Sequence, residues 1–267
     1  MDGSLLFLGT GSSAGVPVIG CHCRVCLSRD PKNRRLRASA LLRWQDKTFL
    51  IDAGPDFRQQ ALLYDIRQID GLLLTHTHYD HIGGLEELRI YSFRQKGGIP
   101  CLLSSSSYSE VKKLFYYLFE QDGEVKNYTS KFDFIPLDGD GECIFLGLPI
   151  RYFSYSQGGM KVLGFRIGDL AYVTDIKNYS PSIFQELQGL SCLVLSALRF
   201  TNSNIQFSID EAIDFAEKVG AKNTYLMHMS HDIEYSHLYN LLPASITLAY
   251  DGLELPFHVG TSSLNHQ

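Results

Sequence analysis

The sequence predicts an α/β protein in which two sheets pack face to face, with helices on the outside. Short β-type runs alternate with helical patterns along all 267 residues, as expected of a layered architecture. A faint internal repeat indicates two similar halves, because the hairpin of residues 39–52 resembles that of residues 164–175 and each ends in an aspartate, Asp52 or Asp175. We find no linker or low-complexity segment, so a single domain over residues 1–267 is expected.

The individual elements follow from local composition and periodicity. Runs rich in β-branched, aromatic and aliphatic residues predict strands at 5–8, 39–44, 48–52, 72–75, 101–104, 132–135, 150–153, 162–167, 171–174, 192–196 and 224–227. Helical spacing predicts helices at 55–64, 85–93, 107–119, 182–187, 209–219 and 235–241. Pro55 and Pro181 stand where helix starts favour proline, and Gly220 is a stop signal after the fifth helix.

The composition is that of a folded domain with a sizeable core. The chain is 45% hydrophobic and 12% aromatic, and its formal net charge of −5 argues against non-specific adhesion to nucleic acid or anionic lipid. We find no apolar run of transmembrane length and no signal-peptide pattern at the start. We therefore expect a cytoplasmic protein without a membrane partner, and the sequence allows a homodimer.

A cluster of histidines provides the strongest chemical signal. Residues 75–81 read Thr-His-Thr-His-Tyr-Asp-His and directly follow the apolar run 71–74. Imidazole and carboxylate are ligands suited to zinc, iron or manganese. His76 and His78 can converge on one ion, while Asp80 and His81 face another way and can reach a second ion. The alternative is a polar surface loop, but three of the nine histidines within six residues make chance clustering improbable.

Two further candidates, Asp175 and His228, follow predicted strands in the second half of the chain. A dinuclear hydrolytic site needs imidazoles for each ion, a bridging carboxylate, and a bridging water whose pKa falls toward neutrality so that hydroxide is the nucleophile. One ion would be held by His76 and His78, the other by Asp80, His81 and His228, with Asp175 between them.

The cysteines divide into two groups. Six are too few for a disulfide scaffold in a chain of this length. Thiolates as close together as Cys21, Cys23 and Cys26 usually hold a metal in a reducing compartment. The other three are isolated in apolar surroundings, which indicates small core residues: Cys101, Cys143 and Cys192.

Taken together, these motifs resemble those of the metallo-β-lactamase superfamily. The resemblance covers nearly the whole chain and is carried by the loop 75–81, Thr174-Asp175, His228, and the segments Gly9-Thr10-Gly11-Ser12-Ser13 and Ile51-Asp52-Ala53-Gly54. Gly15-Val16-Pro17 leading into the three cysteines, and His228 with His231 three positions later, resemble the branch that contains the cyclic ribosyl-phosphate phosphodiesterase of the carbon-phosphorus lyase pathway. The resemblance implies an αββα sandwich of two mixed sheets with a metal site at one edge.

The resemblance also implies a separate structural zinc on Cys21, Cys23, Cys26 and His231. Three thiolates and one imidazole fill a tetrahedral shell and leave no open position for substrate, as expected of a structural site. His22 is the competing fourth ligand. Its position between two ligating cysteines would strain the loop, which favours His231.

Two glutamines depart from the family pattern. The family has a histidine at the position of Gln157, as the third imidazole of one metal site, and another at Gln206, as a candidate general acid or substrate contact. A neutral amide is a poor ligand for zinc and a tolerable one for manganese, so the ion at His76 and His78 should bind weakly. Gln206 can donate a hydrogen bond to a phosphoryl oxygen but cannot deliver a proton at neutral pH.

Arginines are the candidate contacts for a phosphate-bearing substrate, because guanidinium groups offer paired donors to phosphate oxygens. Arg34 belongs to a basic run with Lys32, Arg35 and Arg37, and Arg199 lies just beyond the predicted strand 192–196. A solvated charged loop is the alternative interpretation of the basic run.

The sequence thus predicts a metal-dependent hydrolase, a phosphodiesterase for a small cyclic or nucleotide-like phosphodiester, that uses one or two zinc or manganese ions besides the structural zinc. Its expected catalytic residues are Asp80, Asp175 and Gln206. A catalytically decayed binding or regulatory protein on the same scaffold is the first alternative, motivated by the two glutamines. A tRNA-processing nuclease is the second, and the negative net charge without an extended basic arm argues against a nucleic acid partner.

Overall fold

The computed structural model describes residues 1–95, 97–119 and 129–260. These residues form fourteen strands: β1 (Asp2–Gly9), β2 (Ser39–Trp44), β3 (Lys47–Ile51), β4 (Gly71–Leu73), β5 (Ile99–Ser104), β6 (Phe132–Leu137), β7 (Gly141–Phe145), β8 (Leu148–Gln157), β9 (Met160–Ile167), β10 (Leu170–Val173), β11 (Cys192–Ser196), β12 (Asn223–Met227), β13 (Ile246–Leu248) and β14 (Glu254–His258). The helices are α1 (Phe57–Leu63), α2 (Tyr79–Ile82), α3 (Arg89–Gln95), α4 (Ser105–Leu114), α5 (Ile183–Glu186), α6 (Ile209–Val219) and α7 (Tyr235–Tyr239).

The strands form two seven-stranded sheets, with orders β14-β1-β2-β3-β4-β5-β6 and β13-β12-β11-β10-β9-β8-β7. In the first sheet β14, β1, β2 and β3 are antiparallel neighbours, and β3 to β6 run parallel. In the second sheet β7 to β10 are antiparallel, and β10 to β13 run parallel. Both sheets are mixed, so the predicted αββα sandwich is confirmed.

Alternation along the strands produces three apolar layers. In β1, Leu5 and Phe7 face the other sheet, while Leu6 and Leu8 face the helices of their own side. The cluster between the sheets draws residues from both of them, and the two outer clusters lie beneath α1, α3 and α4 and beneath α5, α6 and α7. Strands buried on both faces read as continuous hydrophobic runs, which is why the sequence shows them clearly. Of the helices that the structure describes, none is both long and apolar enough to cross a membrane.

The internal repeat is real in the structure. The antiparallel pairs β2–β3 and β9–β10 occupy corresponding places, and each continues into a parallel neighbour, β4 or β11. Asp52 and Asp175 follow the second strand of each pair, and both have left-handed backbone conformations, with φ of 58° and 56°. The two halves therefore deliver a carboxylate to the same edge of the sandwich in the same way.

Sequence patterns missed the strands β7, β13 and β14 and the helix α2. β13 and α2 span only three and four residues, too few to show a period, and β14 combines its inward-facing Leu255 and Phe257 with exposed polar neighbours. The predicted strand 150–153 is the middle of β8, which runs on to Gln157. The predicted helix 107–119 begins earlier, because the Ser104 hydroxyl accepts a hydrogen bond from the backbone N–H of Ser107 and caps α4.

Helix α6 ends where the sequence predicted. Gly220 adopts φ of 66° at its C-terminus, a left-handed conformation that glycine adopts without steric cost. At its start, Ser208 and Glu211 form a reciprocal capping box. The capped N-terminus of α6 fixes the segment before it, so that Gln206, two residues upstream of Ser208, lies beside the strand ends described next.

Candidate metal centre

The predicted ligands meet at the carboxyl ends of strands. Residues 74–81 follow β4, Asp175 follows β10 after a single residue, and His228 follows β12 directly. Backbone hydrogen bonds join the two sheets here, from Leu163 N–H to the Thr75 carbonyl and from Met229 N–H to the Thr10 carbonyl. The candidate ligands therefore lie on loops at converging strand ends, the usual location of functional residues.

One cluster consists of Asp80, His81, His228 and the carboxylate of Asp175. His81 Nε2 lies 3.4 Å from Asp80 Oδ2 and 3.3 Å from Asp175 Oδ2. His228 Nε2 lies 3.4 Å from Asp80 Oδ2 and 3.3 Å from Asp175 Oδ1. Both Nε2 atoms are buried and make no hydrogen bond within the described chain. Two imidazoles and two carboxylates that converge without hydrogen bonds between them fit one divalent cation.

A second group comprises His76, His78 and again Asp175, whose ligand atoms all lie within 4.8 Å of one another. His76 Nε2 and His78 Nδ1 are 3.0 Å apart, and the rings of His76 and His81 have centroids 4.2 Å apart. The structure therefore brings all six predicted histidine and aspartate ligands together at one edge of the sandwich. Asp175 lies between the two groups, in the bridging place that the sequence predicted.

Gln157 and Gln206, which stand where the resemblance implies histidines, also lie beside Asp175. The side-chain amide of Gln157 donates to Asp175 Oδ1 at 3.1 Å, and the amide of Gln206 donates to the same oxygen. Their carbonyl oxygens are buried and have no hydrogen-bond partner among the described residues. Both amides are thus positioned around Asp175, with their N–H groups engaged by its carboxylate.

The charges in the cluster favour a cation. Burial lowers the pKa of His81, but the carboxylates of Asp175 and Asp52 outweigh it and raise that pKa well above its ordinary value. For His228, burial also lowers the pKa, but Asp175 and Asp80 outweigh it and raise the pKa above its ordinary value. Burial and the neighbouring His81 lower the pKa of His76, so that imidazole stays neutral, as a metal ligand requires. A divalent cation would supply the positive charge that the two carboxylates attract.

Asp52 orients His81, a role that sequence reasoning missed. Asp52 Oδ2 lies 2.7 Å from His81 Nδ1 and accepts a hydrogen bond from the Thr75 hydroxyl, while Oδ1 accepts from the Thr75 N–H. In the same way, the Thr174 hydroxyl donates to Asp175 Oδ2 at 2.6 Å. The sequence did contain a signal for Asp52, because Asp52 stands at the end of its hairpin as Asp175 does in the internal repeat. A carboxylate behind a ligating histidine fixes its tautomer and raises its basicity.

Asp52→Asn should weaken the affinity of this cluster for a divalent ion about 10–100-fold, because the amide removes the charge that supports His81. Competition for zinc against a chromophoric chelator measures this affinity. Asp65→Asn is the matched control, since Asp65 pairs with Arg67 at the surface. Equal affinities for the two variants would show that Asp52 does not tune the site.

The backbone is strained at three of these residues. Asp52, Asp175 and His228 all have positive φ, at 58°, 56° and 61°, and are buried. Such conformations cost about 1–3 kcal/mol each for residues other than glycine and persist where the surrounding structure enforces them. Their concentration at a single site is typical of functional geometry.

Three cysteines form a separate cluster with His231. Its Nδ1 lies 3.2 Å from Cys21 Sγ, 3.6 Å from Cys23 Sγ and 3.5 Å from Cys26 Sγ. A hydrogen bond from the Cys26 N–H lowers the pKa of Cys23 to about 7. Three thiols and one imidazole at these separations match a closed tetrahedral zinc shell. The competing ligand, His22, is exposed and lies outside this group.

Cys23→Ala should lose one ion per chain that the unaltered protein holds firmly, and His231→Ala should do the same. His22→Ala is the matched control and should retain the ion, because its ring is exposed. Elemental analysis by mass spectrometry at known protein concentration measures the stoichiometry. Loss of an ion from His22→Ala, with retention in His231→Ala, would reverse the assignment of the fourth ligand.

Internal contacts engage most of the basic run around Arg34. The Lys32 ammonium lies over the rings of Tyr235 and Tyr250, 4.5 and 4.6 Å from their centroids. Arg37 pairs with Asp56 at 2.7 Å. Arg35 is buried, so internal contacts occupy three of the four basic side chains, and Arg34 is exposed. Arg199 is half-buried with an unpartnered Nε in the described chain, and its proposed contact with substrate stays a prediction, as does that of Arg34.

Arg35 joins the two clusters through the loop that carries His228 and His231. Its guanidinium donates to the carbonyls of Ser230 and Ile233 at 3.1 and 2.9 Å, and to Asn33 Oδ1 at 3.1 Å. Burial lowers the pKa of Arg35 to about 10, so it remains charged at neutral pH. Arg35 thus fixes the backbone on both sides of His231 through hydrogen bonds to the Ser230 and Ile233 carbonyls.

Comparison with known proteins agrees with this fold. The model of the beta-lactamase superfamily domain matches residues 47–229. A crystal structure described as a new diphosphatase from the PhnP family is 36% identical, has a TM-score of 0.89, and aligns over 96% of this chain and 98% of that one. Zinc-bound PqqB from Methylobacterium extorquens shares the fold, with 18% identity and a TM-score of 0.73 over 94% of this chain and 99% of that one.

An octanoyltransferase of Porphyromonas gingivalis is 34% identical over 253 residues, which make up 93% of this chain and 50% of that protein. The chain therefore spans about half the length of this relative. The αββα sandwich, with histidine and aspartate clusters suited to metal ions at one edge, defines the class of protein. The chain belongs to the metallo-β-lactamase superfamily, in its PhnP-like branch.

Proposed function

We propose that this protein is a metal-dependent phosphodiesterase that hydrolyses a small phosphodiester or a related phosphoric anhydride. The observation that supports this most directly is the convergence of Asp80, His81, Asp175 and His228, in which each imidazole Nε2 lies 3.3–3.4 Å from both carboxylates. The related diphosphatase favours a phosphorus centre as the point of attack. The octanoyltransferase carries less weight, because half of that protein lies outside the match.

The residues of the chain have separate tasks in this mechanism. A divalent ion bound here would polarise the phosphoryl group and lower the pKa of an attacking water. Asp52 holds His81 in position, and Thr174 holds Asp175. Gln206 cannot protonate a leaving group, so the best substrates are those whose leaving group is stable as an anion.

The His76 and His78 side of the centre is proposed to bind its ion weakly. Gln157 contributes no imidazole there, and its amide donates to Asp175. Tightly held metal is then expected on the Asp80, His81 and His228 side, with zinc or manganese as candidates. The number and identity of these ions form part of the proposal.

A second candidate is a binding or regulatory protein on the same scaffold. It is favoured by the two glutamine amides, which both donate to the carboxylate that would bridge two ions. This candidate predicts that the protein binds phosphoesters without turnover. Hydrolysis at any substantial rate, lost on removal of the active-site metal, would exclude it.

The Gln157→His, Gln206→His double variant tests the proposal. Restored imidazoles should add a firmly held ion and raise hydrolysis about a hundredfold or more, since general acid–base catalysis contributes 10²–10⁴. The assay uses zinc- or manganese-loaded protein on a panel of linear and cyclic phosphodiesters and diphosphates, with elemental analysis in parallel. If the unaltered protein cleaves no member of the panel while the double variant gains activity, the hydrolase proposal fails for the natural protein.

A further inference from the structure

A cavity of about 580 Å³ is separate from both metal clusters, and none of their residues lines it. It is bounded by α7, by β12 and β13 of the second sheet, and by the turn that contains Asp30 and Lys32. Its volume is in the range of sites that hold small molecules. The side chains that line it therefore indicate which class of ligand it would take.

Four tyrosines give the cavity aromatic walls: Tyr225, Tyr235, Tyr239 and Tyr250. Tyr235 stacks on Tyr239, with ring centroids 5.9 Å apart, and meets Tyr250 edge-on at 6.1 Å. Tyr225 makes no ring contact with another described residue, and Tyr239 is 50% exposed. Aromatic surface that no other ring covers can pack against a planar aromatic ligand.

Lys32 brings an ammonium group to the same cavity. Its Nζ lies 4.5 and 4.6 Å from the ring centroids of Tyr235 and Tyr250, and these cation–π contacts hold it there. It donates one hydrogen bond, 3.5 Å long, to the Tyr235 hydroxyl and has no carboxylate partner among the described residues. Because an ammonium group has three donors, Lys32 can still bind an anionic group of a ligand.

Asp30 supplies the opposite charge. Its Oδ1 accepts a hydrogen bond from the backbone N–H of Lys32 at 2.9 Å and caps the turn Pro31–Asn33. Its other carboxylate oxygen has no partner in the described chain, and the side chains of Asp30 and Lys32 do not form an ion pair with each other. Two opposite charges therefore line one cavity, and each can meet a partner on a ligand.

We propose that this cavity binds a free aromatic amino acid, with its carboxylate on Lys32, its ammonium on Asp30 and its ring against the tyrosines. A dianion such as a phosphate monoester is disfavoured, because Asp30 would repel it. A simple cation is disfavoured as well, since the Lys32 ammonium already lies over two of the rings. A zwitterion with a planar ring complements all of these groups. This binding site is additional to the metal centre and does not depend on the proposed hydrolase activity.

The test is calorimetric titration of the metal-loaded protein with L-tryptophan and with three analogues that each lack one feature. Tryptamine lacks the carboxylate, 3-indolepropionate lacks the ammonium, and L-leucine lacks the aromatic ring. We expect the Kd of L-tryptophan to be at least about tenfold lower than that of each analogue, because charge-assisted hydrogen bonds are the stronger ones and aromatic contacts add to area burial. Parallel titrations with L-tyrosine and L-phenylalanine show which ring fits best.

Variants locate the ligand in the cavity. Lys32→Met should raise the Kd of L-tryptophan at least about tenfold and remove the preference over tryptamine. Asp30→Asn should remove the preference over 3-indolepropionate, while its side-chain oxygen can still cap the turn. Lys112→Met is the matched control, because Lys112 is an exposed lysine of α4, and it should leave the Kd unchanged. His81→Ala should also leave the Kd unchanged, which separates this cavity from the metal centre.

Three outcomes would overturn the inference. The first is no binding of any of the three aromatic amino acids at millimolar concentration, and the second is equal affinity for L-tryptophan and all of its analogues. The third is loss of binding in His81→Ala with full binding in Lys32→Met, which would place the ligand at the metal centre. The comparison of analogues uses the unaltered protein, so it decides the matter even where a substitution disturbs folding. Hydrolysis of phosphodiesters is assayed separately, and the proposed function stands or falls on that assay alone.

Discussion

His81→Ala is expected to reduce phosphodiester hydrolysis by at least about a thousandfold and to remove the ion from the Asp80, His81 and His228 cluster. The imidazole contacts both carboxylates of the cluster, at 3.3 and 3.4 Å, and is held from behind by Asp52. Without it, the remaining groups offer two aspartates and one imidazole in a buried site. Loss of the metal removes both phosphoryl polarisation and activation of water.

The measurement combines turnover of the best substrate with elemental analysis of the purified variant. His237→Ala is the matched control, because His237 is an exposed residue of α7. His81→Asn preserves more of the side-chain volume and distinguishes loss of a ligand from collapse of the core, and circular dichroism reports on folding. Full activity in a folded His81 variant would show that catalysis takes place elsewhere.

Arg35→Met is expected to cause the largest loss of stability, about 3–5 kcal/mol. The buried guanidinium satisfies two backbone carbonyls and one amide oxygen, and a buried acceptor that loses its donor carries the full cost of desolvation. Because the loop from His228 to Ile233 depends on these bonds, both metal clusters should lose affinity together. Urea unfolding of the metal-loaded protein measures the stability.

Arg34→Met provides a neighbouring control, since Arg34 is exposed and its replacement should change stability by less than about 0.5 kcal/mol. Arg35→Lys keeps the charge but not the planar fork, and it should fall between the two. If Arg35→Met unfolds at the same urea concentration as Arg34→Met, the arginine does not hold this loop. Replacing the bound metal with cobalt would show which of the two clusters loses its ion, because thiolate and imidazole sites give distinct spectra.

The layered fold could be predicted because its strands are buried on both faces. Runs such as residues 5–8 and 192–196 are apolar without interruption, and the helices between them keep a helical period. Short elements could not be found in this way. The one-turn helix α2 and the edge strands β13 and β14 owe their conformation to neighbours distant in sequence.

The sequence by itself determined which residue types are available for chemistry: the histidine loop, the three clustered cysteines, and the two glutamines in place of imidazoles. These are local facts, because ligand chemistry is a property of the side chain. Tertiary structure decided which groups meet. It placed His231 rather than His22 beside the thiols, turned Arg35 inward, and set Asp52 behind His81.

The physical reason is that these hydrogen bonds and ion contacts join side chains well separated in sequence, from 18 positions for Gln157 and Asp175 to 210 for Cys21 and His231. Sequence patterns report burial and period, but they do not report which donor faces which acceptor. The engagement of both glutamine amides by one oxygen of Asp175 is such a case, since it depends on the ends of β8, β10 and the segment before α6 arriving at one point.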